Sequence, residues 1–163
     1  MRTLTLGIVM TLTLALSACV VEDVPIDDRP NDPGSVRNES VAGVDADGDG
    51  LREDVQIFVY DTYSDPAART ASIQLAKSLQ QLIVTGTTKS KALTAAGSMN
   101  KAIDCLYSLD VEKFGDRVEG IEAVVINTGA RAQAYAKAGA FLSGGNFTVS
   151  TVANNAASCE VNP

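Results

Sequence analysis

From residue 55 onward, apolar positions recur at spacings of three and four, the period of a helix with one buried face. Val55, Phe58, Val59 and Tyr63 share such a face. "SDP" then breaks the pattern and opens another: Asp65 suits an N-cap, and Pro66 suits the first helical position. A second stripe runs through Ile73, Leu75, Ala76, Leu79, Leu82 and Ile83 and stops near Gly86. A third helix is expected over Lys89–Leu109, with Ala92, Leu93, Ala96, Met99, Ile103 and Leu106 in phase. Asp110 suits the N-cap of a fourth, carrying Phe114, Val118, Ile121 and Val125. "NTG" at 127–129 bends or interrupts it, and "ARAQAYAKAGAFL" continues helically. There Ala130, Ala134 and Ala138 repeat every four residues, so one side is nearly flat. That side suits close packing within the bundle, the alternative being a partner helix. "SGGN" ends the helix, and the alternating "FTVSTV" beyond it reads as a short strand or an extended tail. The expected fold class is mainly α: a small four-helix bundle.

What precedes the bundle has a different character. The first 19 residues carry one charge, Arg2, then an apolar run from Leu4 to Leu16, then small residues before Cys19. That is the layout of a signal peptide, and the run falls short of the roughly 18–20 residues a spanning helix needs. Residues 20–43 hold three prolines, many charges and almost no apolar periodicity, and read as a disordered tether. The net charge of −7 is concentrated ahead of the bundle. Residues 20–44 contribute −4 (six acids, two arginines) and residues 45–54 another −4 (five acids, one arginine). From residue 55 onward nine acids balance nine bases, and Arg2 supplies the remaining +1. With no basic patch, nucleic-acid binding is not expected.

The acidic stretch is "DADGDGLRED", and it carries the candidate chemistry. Asp45, Asp47 and Asp49 alternate with small residues, so a curled backbone aims their oxygens at one point. Gly50 permits the positive-φ turn that brings the Leu51 carbonyl inward. A hard cation taking six to eight oxygens at about 2.3–2.6 Å fits this donor set. The protein has no histidine, which disfavours zinc and copper. The expected cofactor is calcium, the alternative being a solvated turn without metal. The pattern resembles the D-x-D-x-D-G loop of EF-hand-like extracellular calcium modules, including dockerins and thrombospondin repeats. That loop closes at its twelfth position, which here is the neutral Gln56. The shortened loop of the extracellular Excalibur region closes at its tenth, which here is Asp54, and Glu53 stands just before it. The resemblance implies a ligand set of Asp45, Asp47, Asp49, Leu51, Glu53 and Asp54.

"LSAC" at 16–19 resembles the lipobox of bacterial lipoproteins, which implies that Cys19 is lipidated and anchors the chain to a membrane. An exported chain then has Cys105 and Cys159 left for one disulfide, two buried free thiols being the alternative. In typical enteric lipoproteins an Asp after the cysteine retains the protein in the inner membrane. Val20 stands there, which implies the periplasmic face of the outer membrane if the host has one. The expected domains are a lipoprotein signal peptide (1–18), a lipidated cysteine with a disordered acidic linker (19–43), and a calcium loop plus helical domain (44–163).

Catalysis is not expected. Without histidine there is no Ser-His or Cys-His pair. The carboxylate pairs Asp61/Asp65 and Glu119/Glu122 are close on helices, but such pairs usually form solvated faces. Some periplasmic lytic transglycosylases carry an EF-hand-like loop, so peptidoglycan cleavage is one alternative; a self-assembling envelope protein is another. The expectation is a membrane-anchored, calcium-braced envelope module that binds or scaffolds an envelope partner. A candidate contact face carries Arg131, Gln133, Lys137 and Tyr135.

Overall fold

The structure is a computed structural model of the 163-residue chain, and it describes residues 29–143 and 157–160. The expected signal peptide, Cys19 and the "FTVSTV" tail lie outside the described residues. Five α-helices follow one another: α1 (Glu53–Thr62), α2 (Pro66–Thr85), α3 (Lys89–Leu109), α4 (Phe114–Val125) and α5 (Gly129–Leu142). They form a mainly α bundle in which α2 and α3 pack most extensively.

Local chemistry explains the breaks. The Asp65 carboxylate accepts from the Ala68 N–H at 2.8 Å with Pro66 at the first position, so α2 starts where the sequence places it. Asp110 acts a turn earlier than expected. Its carboxylate accepts from the Glu112 and Lys113 N–H groups at 3.1 and 3.2 Å, while Lys113 is the N-cap of α4. Those backbone donors, Lys113 first, hold the Asp110 carboxyl below the ordinary carboxylate value. The expected fourth helix is two helices. Thr128 accepts from the Arg131 N–H at 3.2 Å and caps a fresh start, so the bundle has five helices rather than four.

The core brings Leu75, Leu79 and Ile83 of α2 against Ala102, Cys105 and Leu106 of α3 and Ile121 and Val125 of α4. Fully burying one such leucine stabilises by about 1.5–3 kcal/mol. A smaller cluster joins Leu82, Ala92, Ala95 and Ala138. Its small side chains let α5 lie close to α2 and α3, so the alanine-rich side packs within the bundle at Ala138. Cys105 and Cys159 form a disulfide with Cα atoms 4.8 Å apart, which ties residues 157–160 to α3. Gln74 of α2 reinforces the attachment, donating to the Ser158 carbonyl and accepting from the Glu160 N–H.

Two expectations require correction. Residues 29–43, expected as part of a disordered linker, lie against the bundle and include a 3-10 helix, Gly34–Asn38. Arg29 forms a two-pronged ion pair with Asp61 of α1, and Val41 packs on the core. Arg131, expected on an exposed contact face, is fully buried. Its guanidinium donates to the carbonyls of Arg37, Ser40 and Val41 and to the side-chain oxygens of Asn38 and Asn127. The segment has few apolar residues to bury, but its backbone carbonyls supply the acceptors that a buried guanidinium requires. The folded unit therefore reaches back to residue 29, ahead of the expected boundary at 44.

Candidate metal centre

The acidic loop lies between this packed segment and α1. Its base is closed by the Glu53 N–H donating to the Val44 carbonyl at 3.1 Å. Within it Gly48 and Gly50 take φ of +74° and +89°, values that strain any residue with a Cβ. These two turns curl the backbone so that its N–H groups point inward and hold the aspartates. Asp45 accepts from the Gly50 N–H at 3.1 Å, Asp47 from Asp49 at 3.1 Å, and Asp49 from Leu51 at 2.8 Å. As a result Asp45, Asp47 and Asp49 each bring one carboxylate oxygen within 4.8 Å of the other two. Oxygens bound to one calcium at about 2.3–2.6 Å can be at most about 5 Å apart. The spacing fits.

The remaining residues expected in the ligand set divide. Leu51 is fully buried, and its N–H fixes Asp49. Asp54 is buried too, but its two oxygens take the Arg52 Nε and Nη2 at 2.9 and 3.2 Å. That carboxylate is engaged away from the aspartate cluster. Glu53 is only 4 % exposed. Its Oε1 accepts from the N–H of Ala46, which lies between Asp45 and Asp47, and its Oε2 is buried with no hydrogen-bond partner. A buried carboxylate oxygen without a donor is costly, by about 1–3 kcal/mol or more. The three aspartate oxygens fit a hard, oxygen-loving ion, and Glu53 stands outside that converging group.

Two contributors were not legible in the sequence. Lys77 of α2 places its Nζ 3.3 Å from the Asp49 carboxylate, a contact across 28 residues that no local pattern signals. Asp45, Asp49 and Lys77 border a groove of about 580 Å³ that also takes in Gln74 and Gln81, so the aspartate side of the loop faces solvent. Arg52 reads in sequence as one base among acids, yet it is fully buried. Its guanidinium donates to the Val124 and Val125 carbonyls at 3.0 Å. These end α4 and lack helical partners, and a cation there also suits the helix dipole. The signal available was an arginine immediately ahead of a helix whose first turn is acidic.

Of the carboxylate pairs considered for acid chemistry, Asp61 is held by Arg29 and Asp65 caps α2. The Arg29 hydrogen bond keeps the Asp61 carboxyl below the ordinary value, the opposite of what a general acid at neutral pH requires. Among the described residues no helix is long and apolar enough to cross a membrane. No protein-family model, curated protein or solved structure matches the chain.

Proposed function

We propose that this chain is a calcium-braced cell-envelope lipoprotein, anchored through Cys19, whose helical domain serves as a binding or scaffolding module. The observation that carries the calcium part is the convergence of the Asp45, Asp47 and Asp49 oxygens within 4.8 Å of one another. The lipobox pattern carries the anchor, and the disulfide suits an oxidising compartment. The role of the ion is structural. It neutralises crowded carboxylates at the junction of the packed segment 29–43 and α1, where loop order and helix order coincide.

The test is a calorimetric calcium titration of residues 20–163, which include every described residue, with melts in calcium and in chelator. Extracellular modules of this kind bind at about 10⁻⁴–10⁻³ M. At roughly a hundred times Kd, calcium adds about 2.7 kcal/mol, or about 5–10 °C in Tm for a chain of this size. Asp49→Asn keeps an acceptor for the Leu51 N–H but removes a charge from the cluster, and is expected to abolish the rise. Identical melts with and without 10 mM calcium, and no heat, would overturn the reading.

A further inference from the structure

One cation already stands on the acidic loop, and it belongs to the chain. The Lys77 Nζ lies 3.3 Å from Asp49 Oδ2, with the two side chains only 22 % and 30 % exposed, so water screens the pair incompletely. Asp49 is one of the three residues whose carboxylate oxygens converge within 4.8 Å. The ammonium therefore sits at the edge of that group. Its partner carboxylate is engaged on both sides, because Asp49 Oδ1 accepts from the Leu51 N–H at 2.8 Å. The Leu51 bond shapes the turn itself, whereas the lysine reaches in from α2 on a flexible four-carbon stem. Of the two donors, Lys77 is the one that can move. Asp45, Asp49 and Lys77 also border the same groove of about 580 Å³, so the ammonium approaches from the side on which the aspartates meet solvent.

We infer that Lys77 is a tethered counter-cation that competes with calcium for Asp49 and thereby sets the affinity of the loop. This deepens the calcium reading and rests on it. The three aspartates attract a divalent ion, and the lysine returns one positive charge to the same place. Affinity in oxygen sites follows the charge of the donor set, so this lysine acts against the metal. Exchange follows from the geometry. As calcium takes Asp49, the ammonium swings toward the groove, where Gln74 and Gln81 stand one turn away on either side of it along α2. The competing account is that Lys77 only preforms the loop by tying it to α2. In that case losing the lysine weakens calcium binding. The two accounts predict opposite signs.

Calorimetric calcium titration of residues 20–163, alongside Lys77→Met, Lys77→Arg and Asp49→Asn, decides between them. Lys77→Met keeps an unbranched stem against α2 and removes the charge. It is expected to tighten calcium binding by about tenfold at low salt, the effect of a unit charge on a divalent ion a few ångströms away in water. The gain should shrink as salt is raised. Lys77→Arg keeps the charge and should bind calcium no more tightly than the parent. A gain of affinity cannot come from misfolding, so Lys77→Met is informative even if it melts lower in chelator. Acetylation of lysine amines, read by mass spectrometry, follows the ammonium itself. Calcium should raise the labelling of Lys77 in the parent and leave it unchanged in Asp49→Asn, with the exposed Lys89 and Lys91 as references.

The inference is overturned if the parent binds calcium and Lys77→Met binds it equally or more weakly; the calcium reading then stands without it. It is also overturned if saturating calcium leaves Lys77 labelling in the parent unchanged, which would mean that ammonium and metal share Asp49. If neither the parent nor Lys77→Met gives heat at millimolar calcium, the calcium reading falls and this inference falls with it. Calcium uptake by Lys77→Met alone supports the inference and identifies the lysine as the cation that outcompetes the metal in the parent.

Discussion

At the scale of the residue, two arginines organise the entry to the bundle. Arg52 joins the start of α1 to the end of α4, and Arg131 joins α5 to the carbonyls of residues 37–41. Gly43 lies against both: a Cβ built there would overlap the Arg52 side chain and approach Arg131 Nη2 at 2.9 Å. Burial, and secondarily the positive charge of Arg52, lowers the Arg131 pKa from the ordinary arginine value. A guanidinium nonetheless remains charged throughout the working pH range. Its contribution is directional, since a planar fork can serve several carbonyls at once and an ammonium cannot. Arg131→Ala strands those acceptors and is expected to cost roughly 2–4 kcal/mol, and Arg131→Lys is expected to recover less than half of that. Urea unfolding monitored by circular dichroism measures both. A loss below about 0.5 kcal/mol, the scale of an ordinary surface substitution, would show that the segment does not depend on this residue. Arg131 could not be placed from sequence, because a lone Arg on a helix usually faces water, and Arg52 was signalled only by its position just ahead of an acidic first turn.

At the scale of the element, the helices were legible because their breaks are chemical. Asp65-Pro66, Gly86 and the Thr128 cap each fall where a local rule puts them. The split of the last expected helix was half visible in "NTG", but deciding between a bend and a stop requires knowing that Thr128 turns to cap. The Cys105–Cys159 pairing followed from counting, given an exported chain. The disulfide spans 54 residues, and closing a loop of that length removes unfolded-state entropy worth about 4 kcal/mol. Cys159→Ala leaves the buried Cys105 in its packing place and removes only the crosslink, so it is the cleaner variant. It is expected to lower unfolding stability by up to that amount, with the parent in reductant matching it. A parent that melts identically in oxidant and reductant would show that Gln74 and the local packing hold residues 157–160 without the bond.

At the scale of the whole molecule, the sequence misjudged how much chain folds. Prolines, charges and the lack of apolar rhythm made residues 20–43 read as a free leash. From residue 29 the chain is held instead by hydrogen bonds from Arg131 and Gln80 and by the Arg29–Asp61 pair. Those partners lie 32 to 94 residues away, beyond any local window. The packed segment also meets the acidic loop directly, since the Val44 carbonyl accepts from Glu53 and the Ala42 carbonyl from Gln80, which itself contacts Arg52. Order in the loop is thereby coupled to order in the segment. If Cys19 carries the proposed lipid, that lipid lies at most about 35 Å of extended chain from Arg29, so the packing of residues 29–43 would limit how far the domain stands from the membrane. Calcium is accordingly expected to slow amide exchange beyond the loop itself. The Gly43 N–H, bonded to Ser40 Oγ, and the Glu39 N–H, bonded to the Val36 carbonyl, should gain protection along with those of Asp49, Gly50 and Leu51. Hydrogen–deuterium exchange read by mass spectrometry, with Asp49→Asn as the reference, resolves the two regions. Protection that stops at residue 45 would make the ion a local brace and separate it from the reach of the anchor. Protection extending to residue 39 in the parent and absent from Asp49→Asn would establish that one cation governs both.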